Sequence, residues 1–378
     1  MTKHAYLSAS SSHRWLACPP SVKLCEGLED QSSPYAQQGT DCHELCASLV
    51  EQALGRKVQD PTPNLSFYDA EMQSCAEDYR TFVMEQYEEA KNLCADPLVL
   101  IEQRLDFSRW VRDGFGTGDC IIVADELLQI IDMKYGVGVL VSADDPHYGA
   151  NPQLMCYALG ALEMLDGIYD ISRIRLTIFQ PRRGNISTFE MTKSELLTWA
   201  EEVLKPRAEL AYEGKGEFAA GDHCQFCRAK ATCRKRAEYN LELAKYDFEV
   251  PPVLEDLEVA AILSRIDELI SWGSDIKEYA LKQAQAGVHF EGFKLVEGRS
   301  NRKFTDEAQV AETVTKAGYD PFEKKLLGIT AMTSLLGKKK FEELLGGLVF
   351  KPPGKPTLVP ESDKRPAMNT ATDDFKDN

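Results

Sequence analysis

The sequence predicts an α/β protein in its first 245 residues, followed by a mainly helical domain over 250–350 and a polar tail over 351–378. Three observations lead there. Short apolar runs of strand length alternate with helical patterns up to about Tyr246. A hairpin signal lies in the middle, Gly116–Lys134, G-T-G-D-C-I-I-V-A-D-E-L-L-Q-I-I-D-M-K. Pro251-Pro252 then breaks the chain, and helical periodicity dominates beyond it.

The elements follow in order. Residues 37–54 read as a helix opening at Thr40 or Asp41, where Asp41 and Glu44 have capping-box spacing and Leu45, Leu49, Val50 and Leu54 form the apolar stripe. His43 falls in its first turn. Residues 70–93 are a second helix. Leu98–Leu105 reads as a buried strand whose one acid, Glu102, is costly among Val, Leu and Ile unless paired or coordinated; simple alternation toward solvent explains it equally well. Asn151–Leu165 has Pro152 where helix starts favour it. Arg173–Gln180 is a strand, Ile186–Met191 an edge strand, and 193–212 a helix. Past the break, 254–285 reads as one long amphipathic helix, 290–304 as a hairpin, and 306–344 as two or three helices. Pro352, Pro353, Pro356 and Pro360 introduce a tail with the composition of disorder.

The central hairpin carries the chemistry. Strands Cys120–Val123 and Leu127–Ile131 meet near Asp125 and Glu126, so antiparallel pairing sets Asp119 opposite Asp132. Like charges across a ladder repel, and a divalent cation between them is the natural remedy. Lys134 leaves the strand on the same face as Asp132. Two carboxylates and an ammonium are the parts for metal-assisted attack of water on a phosphodiester, although Asp119 after Gly118 also fits plain turn chemistry. Gln153 and Tyr157, one helical turn apart, can hold a phosphate or a lysine, or can mark an amphipathic boundary.

Composition bounds the class. The chain has 378 residues and no apolar run long enough for a membrane span, and its first residues lack the apolar core of a signal peptide, so a cytoplasmic location is expected. A net charge of −17 argues against coating duplex DNA through bulk electrostatics. A local basic channel remains open to it, for which Arg173, Arg175, Arg182 and Arg183 are the candidates; a solvated face is the alternative. Eleven cysteines in a reducing compartment read as thiols or metal ligands. Cys224, Cys227 and Cys233, in C-Q-F-C-R-A-K-A-T-C, have ligand spacing. Zinc would suit a local fourth ligand such as His223, and an iron–sulfur cluster a distant cysteine such as Cys18.

Taken together these positions resemble the PD-(D/E)XK nuclease superfamily, in its RecB-like branch with an iron–sulfur cluster, which includes the AddB helicase-nuclease subunit and the cluster-bearing CRISPR adaptation nucleases. The motifs run in order over about the first 240 residues: G-T-D-C-H-E (His43), I-E-Q-R-L (Glu102), G-T-G-D (Asp119), D-M-K (Asp132, Lys134) and Q-L-M-C-Y (Gln153, Tyr157). One cysteine before them and three after match the branch's cluster frame. The whole chain also resembles a phage-borne group lacking a helicase.

The resemblance implies a restriction-endonuclease-like mixed sheet flanked by helices. It implies Mg²⁺ or Mn²⁺ held by Asp119, Asp132 and His43, with Glu102 in support, Lys134 orienting water or stabilising charge, and Gln153 and Tyr157 positioning Lys134 and the DNA backbone. A 4Fe-4S cluster on Cys18, Cys224, Cys227 and Cys233 would clasp the two ends of the nuclease region. The expected activity is a metal-dependent exonuclease on single-stranded or frayed DNA ends, in phage recombination, replication or degradation, and a replication or recombination protein is the expected partner. Two rivals stand beside it: a non-catalytic nucleic-acid-binding or scaffold protein on the same fold, and a zinc-stabilised adaptor.

Overall fold

In the computed structural model, which describes residues 5–28, 34–243, 254–297, 304–322 and 326–350, the hairpin forms where its turn chemistry places it. Asp125, in the left-handed region at φ 46°, turns the chain between β2 (Phe115–Ala124) and β3 (Leu127–Met133). Their register runs from Ala124–Leu127 to Cys120–Ile131. β1 (Leu98–Asp106) pairs antiparallel with β2. Two residue pairs, Asp144–Asp145 (β4) and Gly149–Ala150 (β5), form a small separate hairpin. β6 (Arg173–Gln180) lies parallel to β3, and β7 (Asn185–Thr192) closes the edge antiparallel to β6. The result is a five-stranded mixed sheet in the order β1-β2-β3-β6-β7, flanked by helices, followed by a helical C-terminal region.

Burial explains why β3 is apolar throughout. Every residue of Leu127–Met133 is buried, because helices cover both faces of the sheet. On one face α3 (Pro34–Ala53) and α4 (Ala70–Ala90) pack Leu45, Val50, Met72 and Tyr79 against Ile122, Ile131 and Phe179. On the other face α5 (Pro152–Met164) packs Leu154, Ala158 and Leu162 against Ile121, Ile130 and Leu176. The N-terminal α1 (Ser12–Ala17) and α2 (Ser21–Leu24) and the helical run that holds α6 (Lys193–Trp199) and α7 (Lys205–Glu213) share this second core, with Trp15, Leu16, Val22, Leu196 and Leu204 buried in it. α8 (Arg234–Leu241) follows the last cysteine. α4 and α5 start where side chains cap them: Asp69 accepts from Met72 N at 2.7 Å, and Asn151 from Gln153 N at 3.0 Å.

Three expectations change. The first helix begins at Pro34, not at Thr40 or Asp41, so His43 lies well inside it. Asp41 is a buried tie, accepting from Gln37 Nε2 at 2.7 Å and from Phe67 N at 2.8 Å. The long helix after Pro252 is two, α9 (Asp256–Leu263) and α10 (Ile266–Gln285). At the break Ser264 Oγ donates to Ala261 O at 2.8 Å, the kind of local bond that competes with the helical ladder. Residues 290–297 form a turn and no strand, and the rest of that expected hairpin, 298–303, lies outside the described residues.

The chain divides into two compact units, Met1–Tyr279 and Ala280–Asn378. The second contains the helices Glu307–Lys316, Ile329–Leu336 and Lys338–Leu345, where two or three were expected over 306–344. The tail over 351–378 lies outside the described residues. No described helix is long and apolar enough to cross a membrane.

The contact of α5 with the sheet is close enough to test. A Cβ on Gly160 would stand 2.9 Å from Leu105 Cβ and 3.2 Å from the Asp106 backbone, whereas one on Gly273, inside α10, meets nothing within 4 Å. Gly160→Ala should therefore cost about 1–3 kcal/mol in urea unfolding, and Gly273→Ala should stabilise by about 0.4–1 kcal/mol.

Candidate metal and nucleophile site

β1, β2 and β3 bring three carboxylates into one row. The β1–β2 ladder runs to Ile101–Cys120 and resumes at Gln103–Gly118, so Glu102 stands opposite Asp119 at the interruption. Continuing the β2–β3 register past Cys120–Ile131 sets Asp119 opposite Asp132. Glu102 holds φ 48° inside a strand, a conformation that costs on the order of 1–3 kcal/mol for a residue other than glycine. Strain of this kind points to a constraint other than packing. Beyond Ile131 the ladder stops, and the Asp119 side chain fills the gap, its Oδ2 accepting from Met133 N at 2.6 Å.

Two layers converge on this row. From α3, His43 Nδ1 reaches 3.2 Å from Asp119 Oδ1 and 3.9 Å from Glu102 Oε1. One ligand atom each from His43, Glu102 and Asp119 lie within 4.8 Å of one another, a spacing that can hold a cation. From α5, Gln153 Nε2 donates to Asp132 Oδ1 and to Tyr157 Oη, both at 3.0 Å, while its Oε1 accepts from Lys134 Nζ at 3.0 Å. Lys134 Nζ also lies 2.8 Å from Asp132 Oδ2. The angle there is not that of a hydrogen bond, so this buried oxygen has an ion-pair partner but no aligned donor. Gly116 makes room for the clamp, since a Cβ on it would strike the Tyr157 ring at 2.7 Å.

The charges are strongly coupled. Burial works against the charged form of His43, but the Asp119 carboxylate outweighs it and lifts the imidazole to about 9. Burial would raise Asp119 as well, yet His43, Lys134 and the Met133 amide hold it below the usual carboxylate range. Asp132 is pushed up by burial and by Asp119, against the pull of Lys134. Lys134 is raised: burial opposes its charge, and Asp132 and Asp119 overcome that. It is an ammonium at neutral pH. Glu102 is lifted to about 7 by desolvation and by Asp119; its side chain stays 42% exposed, so water screens part of the effect.

The sequence-derived ligand set was His43, Asp119 and Asp132 with Glu102 in support. The structure instead gathers His43, Glu102 and Asp119, and turns both oxygens of Asp132 toward Lys134 and Gln153. Hard oxygen donors with one imidazole suit Mg²⁺ or Mn²⁺.

A second cluster involves the cysteines. Cys18, Cys224, Cys227 and Cys233 all line one cavity, and His223 lines it with them. Cys18 Sγ accepts from Ala219 N at 3.5 Å, the kind of N–H···S contact that thiolate ligands use. His223, the local zinc alternative, has Nε2 at 3.1 Å from Ala219 O and Nδ1 at 3.8 Å from Asp222 Oδ1. Only Nε2 is within hydrogen-bond reach of its partner, and both His223 and Cys18 line the cavity as possible fourth donors. Soft thiolate donors of this kind suit an iron–sulfur cluster or zinc.

The four arginines expected to make one basic channel do not. Arg173 and Arg175 stand beside Leu127 and Gln129, while Arg182 and Arg183 follow the far end of the same strand. At about 3.3 Å per residue, β6 itself keeps the pairs apart. Arg175 is spent on Glu89 at 3.1 Å and Glu190 at 2.7 Å. Arg182 grips Glu71 with two bonds of 3.1 Å, and Arg183 donates to the Val137 carbonyl.

Sequence reasoning missed Gln180, Asn151 and Cys25. Buried Gln180 donates to Gly136 O and Val139 O, both at 2.8 Å, and fixes the chain leaving Lys134. Asn151 ties α5 to Ser142 O at 2.9 Å. Neither has a motif. Cys25 lies 3.5 Å from Cys227, and its nearness to Cys18 in sequence was the available signal.

Fold and site thus define a mixed α/β protein with an acid row at a parted hairpin and a separate thiol-lined cavity. Over residues 4–366 the chain matches the family described as "Protein of unknown function (DUF2800)", and it belongs to that family. A solved structure described as "Crystal structure of SSO0001" is similar over 52% of this chain and 98% of that one, at 13% identity and a TM-score of 0.22.

A cation entering between His43, Glu102 and Asp119 must displace protons from His43 and Glu102. Its affinity should therefore rise with pH, by roughly tenfold per unit for each proton displaced, most steeply below about 7 where both are protonated. Calorimetric titration with Mn²⁺ at pH 6 and pH 8.5 reads this directly; equal affinities would contradict the assignment.

Proposed function

We propose that the protein is a metal-dependent DNA nuclease of the PD-(D/E)XK superfamily, RecB-like branch, hydrolysing phosphodiesters as an exonuclease on single-stranded or frayed ends. The observation that carries this reading is the row Glu102–Asp119–Asp132 with His43 at 3.2 Å and Lys134 at 2.8 Å. Three carboxylates against one imidazolium and one ammonium leave negative charge that a divalent cation would neutralise. Such an ion, when bound, supplies Lewis-acid activation of water and of the phosphoryl oxygen.

The chain's own residues do the rest. His43, Glu102 and Asp119 would hold the ion, and Asp132, with its oxygens on Gln153 and Lys134, would keep the ammonium beside it. Lys134 stays protonated beside these acids, so it stabilises charge developing on the phosphate and does not act as a base. Gln153, fixed by Tyr157 and Asp132, aims it. Beside the row, exposed Arg104 stacks over Phe115 with its guanidinium 3.9 Å from the ring centroid, two residues after Glu102. A cation on an aromatic face suits a stacked single-strand base and tolerates any sequence. Cys18, Cys224, Cys227 and Cys233 would hold a 4Fe-4S cluster as a structural clasp.

End-labelled single-stranded DNA with Mg²⁺ or Mn²⁺ tests the activity. Asp119→Ala and Asp132→Ala should lose at least about a hundredfold in kcat, of the order removed with a central charge-stabilising group, and Gln153→Leu should lower kcat with little change in KM. Wild type cleaving no better than Asp132→Ala would favour the non-catalytic DNA-binding rival. Anaerobically purified protein should carry iron and acid-labile sulfide and absorb near roughly 400 nm, with loss of both in Cys224→Ser; stoichiometric zinc would favour the adaptor.

A further inference from the structure

Five cysteines meet at the thiol-lined end of the molecule, and one of them has no place on the cavity wall. Cys18, Cys224, Cys227 and Cys233 face the cavity, and Cys25 does not. Cys25 stands behind Cys227 with its sulfur 3.5 Å away, 1% exposed, packed with Cys227 and Ala229 in a small apolar cluster of their own. The two thiols are 202 residues apart in sequence. Their segments are joined again by Arg228, which donates to Leu28 O at 2.8 Å. Cys227 thus has two partners: the cavity in front and a thiol in van der Waals contact behind.

We propose that Cys25 and Cys227 form a reversible disulfide that withdraws Cys227 from the cavity, an inference that takes its consequence for iron from the reading of Cys18, Cys224, Cys227 and Cys233 as cluster ligands. The oxidant is a small-molecule disulfide. The Cys227 thiolate, on the cavity wall, attacks it and releases one thiolate, giving a mixed disulfide. The Cys25 thiolate then attacks the Cys227 sulfur and expels the second. Two electrons pass to the oxidant, and the protons of the two cysteines end on the two released small thiols. Cluster insertion requires the reverse exchange, because Cys227 must be a thiolate to bind iron. The bond also keeps the N-terminal segment fastened to the Cys224–Cys233 loop while the cavity holds no cluster.

The experiment uses the full chain, stripped of iron with a chelator and treated with oxidised glutathione. Non-reducing peptide mapping should find the Cys25 and Cys227 peptides linked, lighter than their sum by two hydrogens. Reloading with ferrous iron and sulfide should be blocked until dithiothreitol is added. Cys25→Ser and Cys25→Ala should reload in the presence of oxidised glutathione and reach the wild-type absorbance. Both thiols alkylated separately after oxidation would overturn the proposal. So would a Cys25 variant that takes up no cluster under reducing conditions, since Cys25 would then be a ligand. If reduced wild type takes up no iron, the cluster reading fails, and the linked peptide alone decides the disulfide.

Discussion

Repulsion within a row of carboxylates is the constraint around which the protein is built. Strands lie about 4.8 Å apart, and two full charges at that spacing repel by roughly 3–4 kcal/mol with an effective dielectric near 20. Glu102, Asp119 and Asp132 occupy neighbouring positions on three strands. The fold answers in several ways at once. The ladders lapse at the row, Glu102 takes a left-handed conformation, Asp119 borrows the Met133 amide, and positive charge comes from His43 on α3 and from Lys134 at the end of β3. A protein with no use for that density of charge would have replaced one acid more cheaply than it could arrange these compensations.

The two helical layers reach the row differently. α3 is embedded on the far face through Leu45 and Val50, and His43 extends from it to the gap where β2 and β3 part. α5 is nearly all buried, so the polar Gln153 at its first turn has a single use: bonding Asp132, Tyr157 and Lys134 together. Its amide orientation follows from those partners, since only the oxygen can accept from the ammonium and only the nitrogen can donate to the carboxylate. The chain beyond Lys134 is tied by Gln180 and Arg183, which limits how far the lysine can wander.

The cysteine end is a second, independent piece of architecture. Arg14 donates to Ser21 Oγ at 2.7 Å, and buried Arg236 pairs with Asp275 at 2.5 Å, so the basic residues around C-x2-C-x5-C serve mostly to hold backbone and helices together. Much of the molecule's positive charge is spent this way, as with Arg175 and Arg182.

The sequence by itself determined what local rules control. Strand period and a two-residue turn set the register that places Asp119 opposite Asp132; Pro152 set the start of α5, and with it the shared face of Gln153 and Tyr157; cysteine spacing marked three of the thiols that line one cavity. Tertiary structure alone decided the rest. Whether Glu102 faced solvent or the row depended on a backbone conformation that no pattern announces. His43 gained its partner only because α3 lies across a gap in the sheet. Four arginines close in sequence were parted by the length of one strand, and Cys25 met Cys227 across 202 residues. Periodicity speaks for neighbours along one element, and contacts between elements arise only when the layers close on one another.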